Sequence, residues 1–382
     1  MTKHPVKDEW WVWLSSAQVF KVPNTRTAVE SDIKLVLDLT TLGLQVGAEP
    51  VKQFPIFLAF SPDFDVTGFV YVAHFVKGQF TLSRIGMLSN PPKADTLLKF
   101  DCGGHMGSWM GFNPLELGVH TRADAEAGSF ILYVTVGDCD VREAAQDMGL
   151  YNGKVLRLHV GPTGLLSNLP SNPFYNEATP RDVPGRIFAI GFRNPFHGGF
   201  DRDGTFLVGD VGEEDIEEVD LVTAGSNYGW PEWEGTRCNT TRCNALGYTP
   251  PVYEYCHRAN STAAAVCRPS QDLFGGGPYS AVIGGAFYYG RKYAHTALYG
   301  GFIFADYNKH IIMMLKKDPA SNDWIRSTVY DWTQLLQGPI GIYPDDDGEL
   351  LVTVLSRGPD GITVNGSSIL QLGCGMLCAT EE

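Results

Sequence analysis

The sequence lacks any run of the ~20 apolar residues that a membrane-spanning helix needs. It is almost as poor in the 3.6-residue apolar period of amphipathic helices. With 43 glycines and 23 prolines, there is little room for long helices. Basic residues are in deficit, 29 Lys and Arg against 43 Asp and Glu, which gives a formal charge of −14. Nucleic-acid binding relies on a basic face, so this balance argues for no nucleic-acid partner. An acidic surface suits a neutral or cationic small ligand, and it also simply aids solubility. No signal peptide is legible either: Asp8 and Glu9 precede only a very short apolar run. None of the eight cysteines has zinc-site spacing with histidines.

The cysteines that are present fall in neighbourhoods: Cys102 and Cys139, Cys238 and Cys243, Cys256 and Cys267, Cys374 and Cys378. An extracellular disulfide framework is the better reading, with its connectivity left open by the sequence. Triplets at Asn239, Asn260 and Asn365 have the N-glycosylation pattern, and two of them lie in cysteine-containing loops. The expectation is a secreted glycoprotein with no transmembrane segment, whose true start lies upstream of Met1.

Strand-like runs dominate the chain. Trp11–Leu14, Gln18–Val22 and Ile33–Leu39 come first, then Phe57–Phe60, Phe69–Phe75 and Phe80–Ile85. Trp109–Phe112, Phe130–Val136 and Val155–Val160 follow a similar plan, as do Thr205–Val208 with Val219–Val222. The last groups are Gly285–Tyr289, Phe302–Ala305 and Ile311–Leu315, then Ile340–Tyr343, Leu350–Leu355 and Ser368–Leu372. These make five similar units and a degenerate N-terminal sixth. Radial repetition of about four-stranded sheets is the propeller solution to the edge problem. The irregular period keeps a pair of β-sandwiches open. Two patches, Val141–Leu150 and Thr328–Leu336, read as short helical turns.

The stretch from Ile187 to Gly235 organises the rest. Polar side chains are packed among glycines in Gly191–Pro195 (GFRNP), Gly209–Gly212 (GDVG), Glu217–Val219 and Gly225–Pro231 (GSNYGWP). Glycine lets backbone groups approach a ligand closely. This ordered series closely resembles the glucose/sorbosone dehydrogenase family, which includes quinoprotein sugar dehydrogenases and hedgehog-interacting-protein-like proteins. The resemblance spans about Ile33 to Leu372. It implies an all-β six-bladed β-propeller of antiparallel blades over residues 1–373, its first blade incomplete, with a Cys-containing tail at 374–382. In that fold the N-terminal strands complete the last blade and close the ring.

Several residues then become site candidates. His105, in Cys-Gly-Gly-His-Met-Gly, is an accessible histidine that either makes one loop hydrogen bond or serves as a general base. Asp138, after the strand Leu132–Val136, either caps its own loop or faces a propeller mouth. The resemblance makes His105 the acceptor of a sugar hydroxyl proton and Asp138 its orienting carboxylate. Arg193 and Asn194 offer a planar fork and an amide; the resemblance assigns them to pyrroloquinoline quinone, with Gln53 as a further contact. It assigns the carbonyls of Gly212 and Glu213 to Ca²⁺, for which hard oxygen ligands are suited. The acids Glu214, Asp215, Glu217 and Glu218 read either as part of such a site or as a solvated turn.

The chain also departs from the pattern. Met106 and Ser108 stand where Asn and Gly are common, Tyr289 stands at a lysine or arginine position, and Gln337–Gly341 lacks an arginine pair. Each buried charge-assisted contact is worth ~1.5–3 kcal/mol, so lost cations weaken an anionic cofactor's site. Two functions therefore follow from the resemblance. One is a quinone- and calcium-dependent dehydrogenase of aldoses, related sugars or polyols. The other is a non-catalytic secreted propeller whose mouth binds a protein, a glycan or a metal.

Overall fold

The computed structural model describes residues 1–13, 17–25, 27–42, 55–76, 78–107, 109–117, 129–241, 243, 247–257, 279–331, 337–357 and 364–373. The chain is nearly all β, and its fold class is the six-bladed β-propeller that the strand repetition and the resemblance imply. It divides into two compact units, residues 1–144 with 148–188, and residues 145–147 with 189–382.

The first unit opens with a four-stranded antiparallel sheet of Thr2–Lys3, Glu9–Trp13, Gln18–Pro23 and Lys34–Asp38. These N-terminal strands were expected to complete the last blade. They pair instead with one another, because their alternating apolar face has a core of its own to fill. Trp11, Val19, Leu37 and Leu39 pack against Leu58, Val70, Val72 and Ile85. The latter belong to the second sheet, Pro55–Phe60, Phe69–Val76, Gln79–Gly86 and Lys93–Asp101. The third sheet pairs Met110–Gly111, Phe130–Val136, Lys154–Val160 and Leu166–Ser167.

The second unit carries three more sheets. One is built from Pro195–Phe200, Phe206–Asp210, Ile216–Leu221 and Tyr253–Cys256, another from Val282–Phe287, Phe302–Asp306, Ile311–Lys317 and Trp324–Asp331. The last has three strands, Gln337–Pro344, Leu350–Arg357 and Val364–Gln371. Inner strands are covered on both faces, so every residue of Phe302–Asp306 is buried and the strand reads as an apolar run closed by Asp306. Leu207, Val219 and Tyr255 meet Val282, Phe302 and Phe304 in one core, while Ile283, Ile303 and Met314 meet Ile342, Val352 and Val354 in the next.

Of the two expected helical turns, the first is a 3₁₀ turn at Arg142–Gln146. The second is overturned for its first half: Thr328–Asp331 ends the outer strand Trp324–Asp331, and residues 332–336 lie outside the described residues. The outer strand has polar residues on its solvent side, which imitates a helical turn in a short window. Two disulfides form within the expected neighbourhoods, Cys102–Cys139 and Cys238–Cys243, and Cys256 is disulfide-bonded as well. No helix among the described residues is long and apolar enough to cross a membrane.

Candidate functional site

In the first unit, His105 and Asp138 meet. The His105 Nδ1 lies 2.9 Å from Asp138 Oδ1. A carboxylate only accepts, so Nδ1 carries the proton that it donates to Asp138. Asp138 is 1 % exposed, whereas the His105 side chain is 32 % exposed. The carboxylate is thus fixed in the wall and the imidazole reaches solvent. Asp138 sits where the strand Phe130–Val136 ends, and its Oδ1 also accepts the Asp140 amide at 2.9 Å. The Cys102–Cys139 disulfide ties the two loops together across 37 residues of chain. Closing a loop of that length stabilises the fold by about 3–4 kcal/mol on the chain-entropy account. The Asp140 carboxylate, which the sequence reading passed over, lies 3.3 Å from His105 Nδ1.

In the second unit, Arg193 and Asn194 are fixed by one buried carboxylate. Asp210 accepts the Arg193 amide at 2.9 Å and the Asn194 amide at 2.6 Å. The Arg193 Nη1 donates to the Val211 carbonyl at 2.9 Å, and the guanidinium stands 5.7 Å from the Trp230 ring centre. The motif Gly209–Gly212 is therefore the clamp that presents Arg193-Asn194. Asn227 and Gln146 exchange hydrogen bonds at 2.8 and 3.0 Å, and Gln146 also donates to the Trp230 carbonyl. Gln53 lies outside the described residues, as do Ser108, Asn260 and the 374–382 tail.

The loop Gly212–Asp215 is held by a residue that the sequence reading missed. Glu234 is 3 % exposed, and its Oε1 accepts the amides of Glu213, Glu214, Asp215 and Ile216 at 2.7, 2.9, 2.9 and 3.2 Å. A trans peptide points its carbonyl opposite its N–H. The Gly212 and Glu213 carbonyls, each sharing a peptide with one of those amides, are consequently both directed away from Glu234. Calcium takes backbone carbonyl oxygens as ligands, so the two residues assigned to Ca²⁺ offer the right type of donor. Gly212 is required here, because a Cβ would stand 1.8 Å from the Ile216 carbonyl oxygen. The only sequence signal for Glu234 was an acid between Trp233 and Gly235.

The neighbouring acids are not a solvated turn, apart from Glu214, which is exposed. Asp215 is buried and paired with Arg237. Glu217 is buried, accepts the Val282 amide at 2.9 Å and bonds His257 Nδ1. Glu218 and Asp220 share a face of their strand with Asp210 beside them, and one carboxylate oxygen from each lies within 4.8 Å of the others. Neither Asp220 oxygen has a hydrogen-bond partner among the described residues. Burial, reinforced by the neighbouring carboxylates, pushes both the Asp220 and Glu218 carboxyls well above the usual range. Protons, or a hard cation such as Ca²⁺, relieve this crowding.

The sign follows from linkage. A carboxyl raised in the folded state adds stability that is complete below its unfolded pKa of about 4 and drains away as pH rises through the folded value. Two unit charges ~4 Å apart repel by about 4 kcal/mol at an effective dielectric constant near 20. Asp220→Asn should therefore raise the unfolding free energy measured in urea at pH 7.5 without divalent cations, by at most about 4 kcal/mol, and the gain should shrink toward pH 4. A variant equally or less stable at pH 7.5 would show that the trio is not repulsive.

Tyr289, at the position of the expected cation, is committed elsewhere. Its hydroxyl bonds Asp201, and Arg202 lies 3.8 Å over its ring. Burial raises that phenol, with Asp201 contributing next.

Comparison with known proteins agrees with the motifs. A model of the Glucose / Sorbosone dehydrogenase family matches residues 103–275. The HIPL1 protein of Arabidopsis thaliana is 29% identical over 198 residues, covering 46% of this chain and 26% of that protein. Quinoprotein glucose dehydrogenase B of Acinetobacter calcoaceticus is 25% identical over 212 residues, covering 46% and 39%. The matched part of the chain thus spans between a quarter and two fifths of these relatives. Among solved structures, the PQQ-bound form of an aldose sugar dehydrogenase from Streptomyces coelicolor superposes with a TM-score of 0.64 at 17% identity, over 97% of this chain and 96% of that one. The apo form of the soluble aldose sugar dehydrogenase from Escherichia coli gives 0.64 at 16%, over 92% and 91%. At such identities the likeness shows the fold. The family match over residues 103–275, with the linked motifs from Gly191 to Pro231 inside it, makes this chain similar to the glucose/sorbosone dehydrogenase family.

Proposed function

We propose that the protein is a quinoprotein-type dehydrogenase that oxidises an aldose, a related sugar or a polyol. The observation that carries this reading is the His105–Asp138 pair, a half-exposed imidazole whose Nδ1 proton is anchored on a buried carboxylate. Bound pyrroloquinoline quinone with Ca²⁺ would supply a two-electron, hydride-accepting centre. The chain's own part is to take the substrate's hydroxyl proton at His105 Nε2, while Asp138 stabilises the imidazolium that results. Arg193, Asn194 and the Gly212 and Glu213 carbonyls are the groups that would hold the cofactor and its cation. The Arg193 fork suits a planar anionic quinone, and Asp210 fixes its backbone in advance of binding. Gln53 is proposed as a further cofactor contact.

The test is reconstitution of the purified protein with pyrroloquinoline quinone and Ca²⁺, read as dye reduction over a panel of aldoses and polyols. Sugar-dependent, cofactor-dependent reduction is expected. Its absence across the panel would retire the enzyme reading.

One observation favours a second reading. Tyr289 replaces a cation and is tied to Asp201, which removes a contact for an anionic cofactor. On that reading the protein is a secreted, glycosylated binding propeller of the hedgehog-interacting-protein-like branch, with a protein, a glycan or a metal as its ligand.

A further inference from the structure

We propose that His105, Asp138 and Asp140 form a binding site for a divalent transition metal of the Zn²⁺ class. All three belong to the first unit, and their ligand atoms lie within 4.8 Å of one another. From His105 Nδ1 the Asp138 and Asp140 Oδ1 atoms are 2.9 and 3.3 Å away. Ligand atoms in tetrahedral Zn²⁺ sites, with bonds near 2.0–2.2 Å, stand about 3.3 Å apart. The protein already has the three at ligand spacing. One Nδ1 carries a single proton and satisfies a single acceptor. Within the trio, an imidazolium balances one of the two carboxylates, whereas a divalent cation beside neutral imidazole balances both.

The donor set selects the metal. One imidazole nitrogen with two carboxylate oxygens suits Zn²⁺ and its neighbours, while Ca²⁺ takes six to eight oxygens at longer range. The backbone is arranged around the trio. Gly104 makes room for the Asp140 carboxylate, since a Cβ there would fall 2.4 Å from Asp140 Oδ2. His105, Cys139 and Asp140 all adopt positive φ, at 41°, 58° and 64°. Such conformations cost of order 1–3 kcal/mol each in ordinary residues, and the Cys102–Cys139 disulfide holds them in place. Asp140 is 53% exposed at its side chain, which leaves the metal's outward positions to solvent or ligand.

A chemical consequence follows, which rests on the dehydrogenase reading. A neutral imidazole that gives its Nδ1 lone pair to a metal keeps its one proton on Nε2. His105 then has no site to accept a substrate proton. Metal occupancy and general-base action at His105 exclude each other, so the metal acts as an inhibitor.

Titration calorimetry of ZnCl₂ into the metal-free, disulfide-intact full chain tests the site without any activity assay. One Zn²⁺ per chain is expected, with excess Ca²⁺ failing to compete. Asp140→Asn should weaken binding at least about tenfold. Asn tolerates the left-handed region better than most residues, so the loop keeps its shape. His105→Ala should remove binding, and Co²⁺ bound to the wild type should show the visible absorption of a low-coordinate site. Unchanged Zn²⁺ affinity in Asp140→Asn, or no binding to the wild type, would overturn the proposal. If reconstitution gives no dehydrogenase but Zn²⁺ still binds through Asp140, only the enzyme reading fails. If the enzyme is active, micromolar Zn²⁺ should inhibit the wild type more strongly than Asp140→Asn.

Discussion

Replacing Glu234 with Leu is expected to destabilise the protein by about 3–5 kcal/mol and, if the proposed function holds, to abolish calcium-dependent quinone binding. Four consecutive amides lose their shared acceptor in that variant. A hydrogen bond to a charged group contributes ~1.5–3 kcal/mol, and four that share one oxygen do not add fully. The Asp215 and Ile216 amides remain buried, so their desolvation is not recovered by Leu. Denaturant unfolding measures the loss, and a protein of this size should melt on the order of 5 °C lower. Glu234→Gln keeps an acceptor but loses the charge, and should fall between the two. A Leu variant within ~0.5 kcal/mol of the wild type would show that solvent can take over those amides.

The second large effect is catalytic. If the proposed function holds, His105→Ala lowers kcat for sugar-dependent dye reduction by about 10²–10⁴-fold, the usual contribution of a positioned general base. That corresponds to roughly 3–5 kcal/mol of transition-state stabilisation. Fold stability should change little, because the imidazole is partly exposed and lies outside the sheet cores. Affinity for the quinone should also persist, since Arg193, Asn194 and the Gly212 loop are untouched. Unaltered kcat in a correctly reconstituted variant would remove His105 from the mechanism. Asp138→Asn offers a finer measure, because an amide can present a donor to Nδ1 and so favour the unproductive tautomer.

Much of the fold was legible because inner propeller strands are buried on both faces. Runs such as Phe302–Asp306 and Ile311–Leu315 contain too few polar residues to be anything but core strands. The outer strands were not legible for the converse reason. Lys93–Asp101 has only Leu98 fully buried, and its charged, exposed residues resemble a loop. The site divides the same way. His105 and Asp138 announce themselves through side chains in motifs, and the structure brings them to hydrogen-bond distance. Asp140 was visible as the second acid of Gly-Asp-Cys-Asp, but only a loop bent through positive φ turns it toward the imidazole. Glu234 works on backbone amides, which have no residue-type signature at all. The acids at 215–218 looked solvated because an Asp/Glu run usually is, whereas here the strand carries them inside.

The four-amide cradle has an evolutionary consequence. Main-chain oxygens at 212 and 213 would bind a cation equally well under many different side chains, so residues 213 and 214 are free to drift. The anion that steers them from beneath is not. Distant homologues that keep this loop geometry should therefore be recognised by a sunken acid some twenty positions downstream of the loop, even where the loop itself no longer aligns.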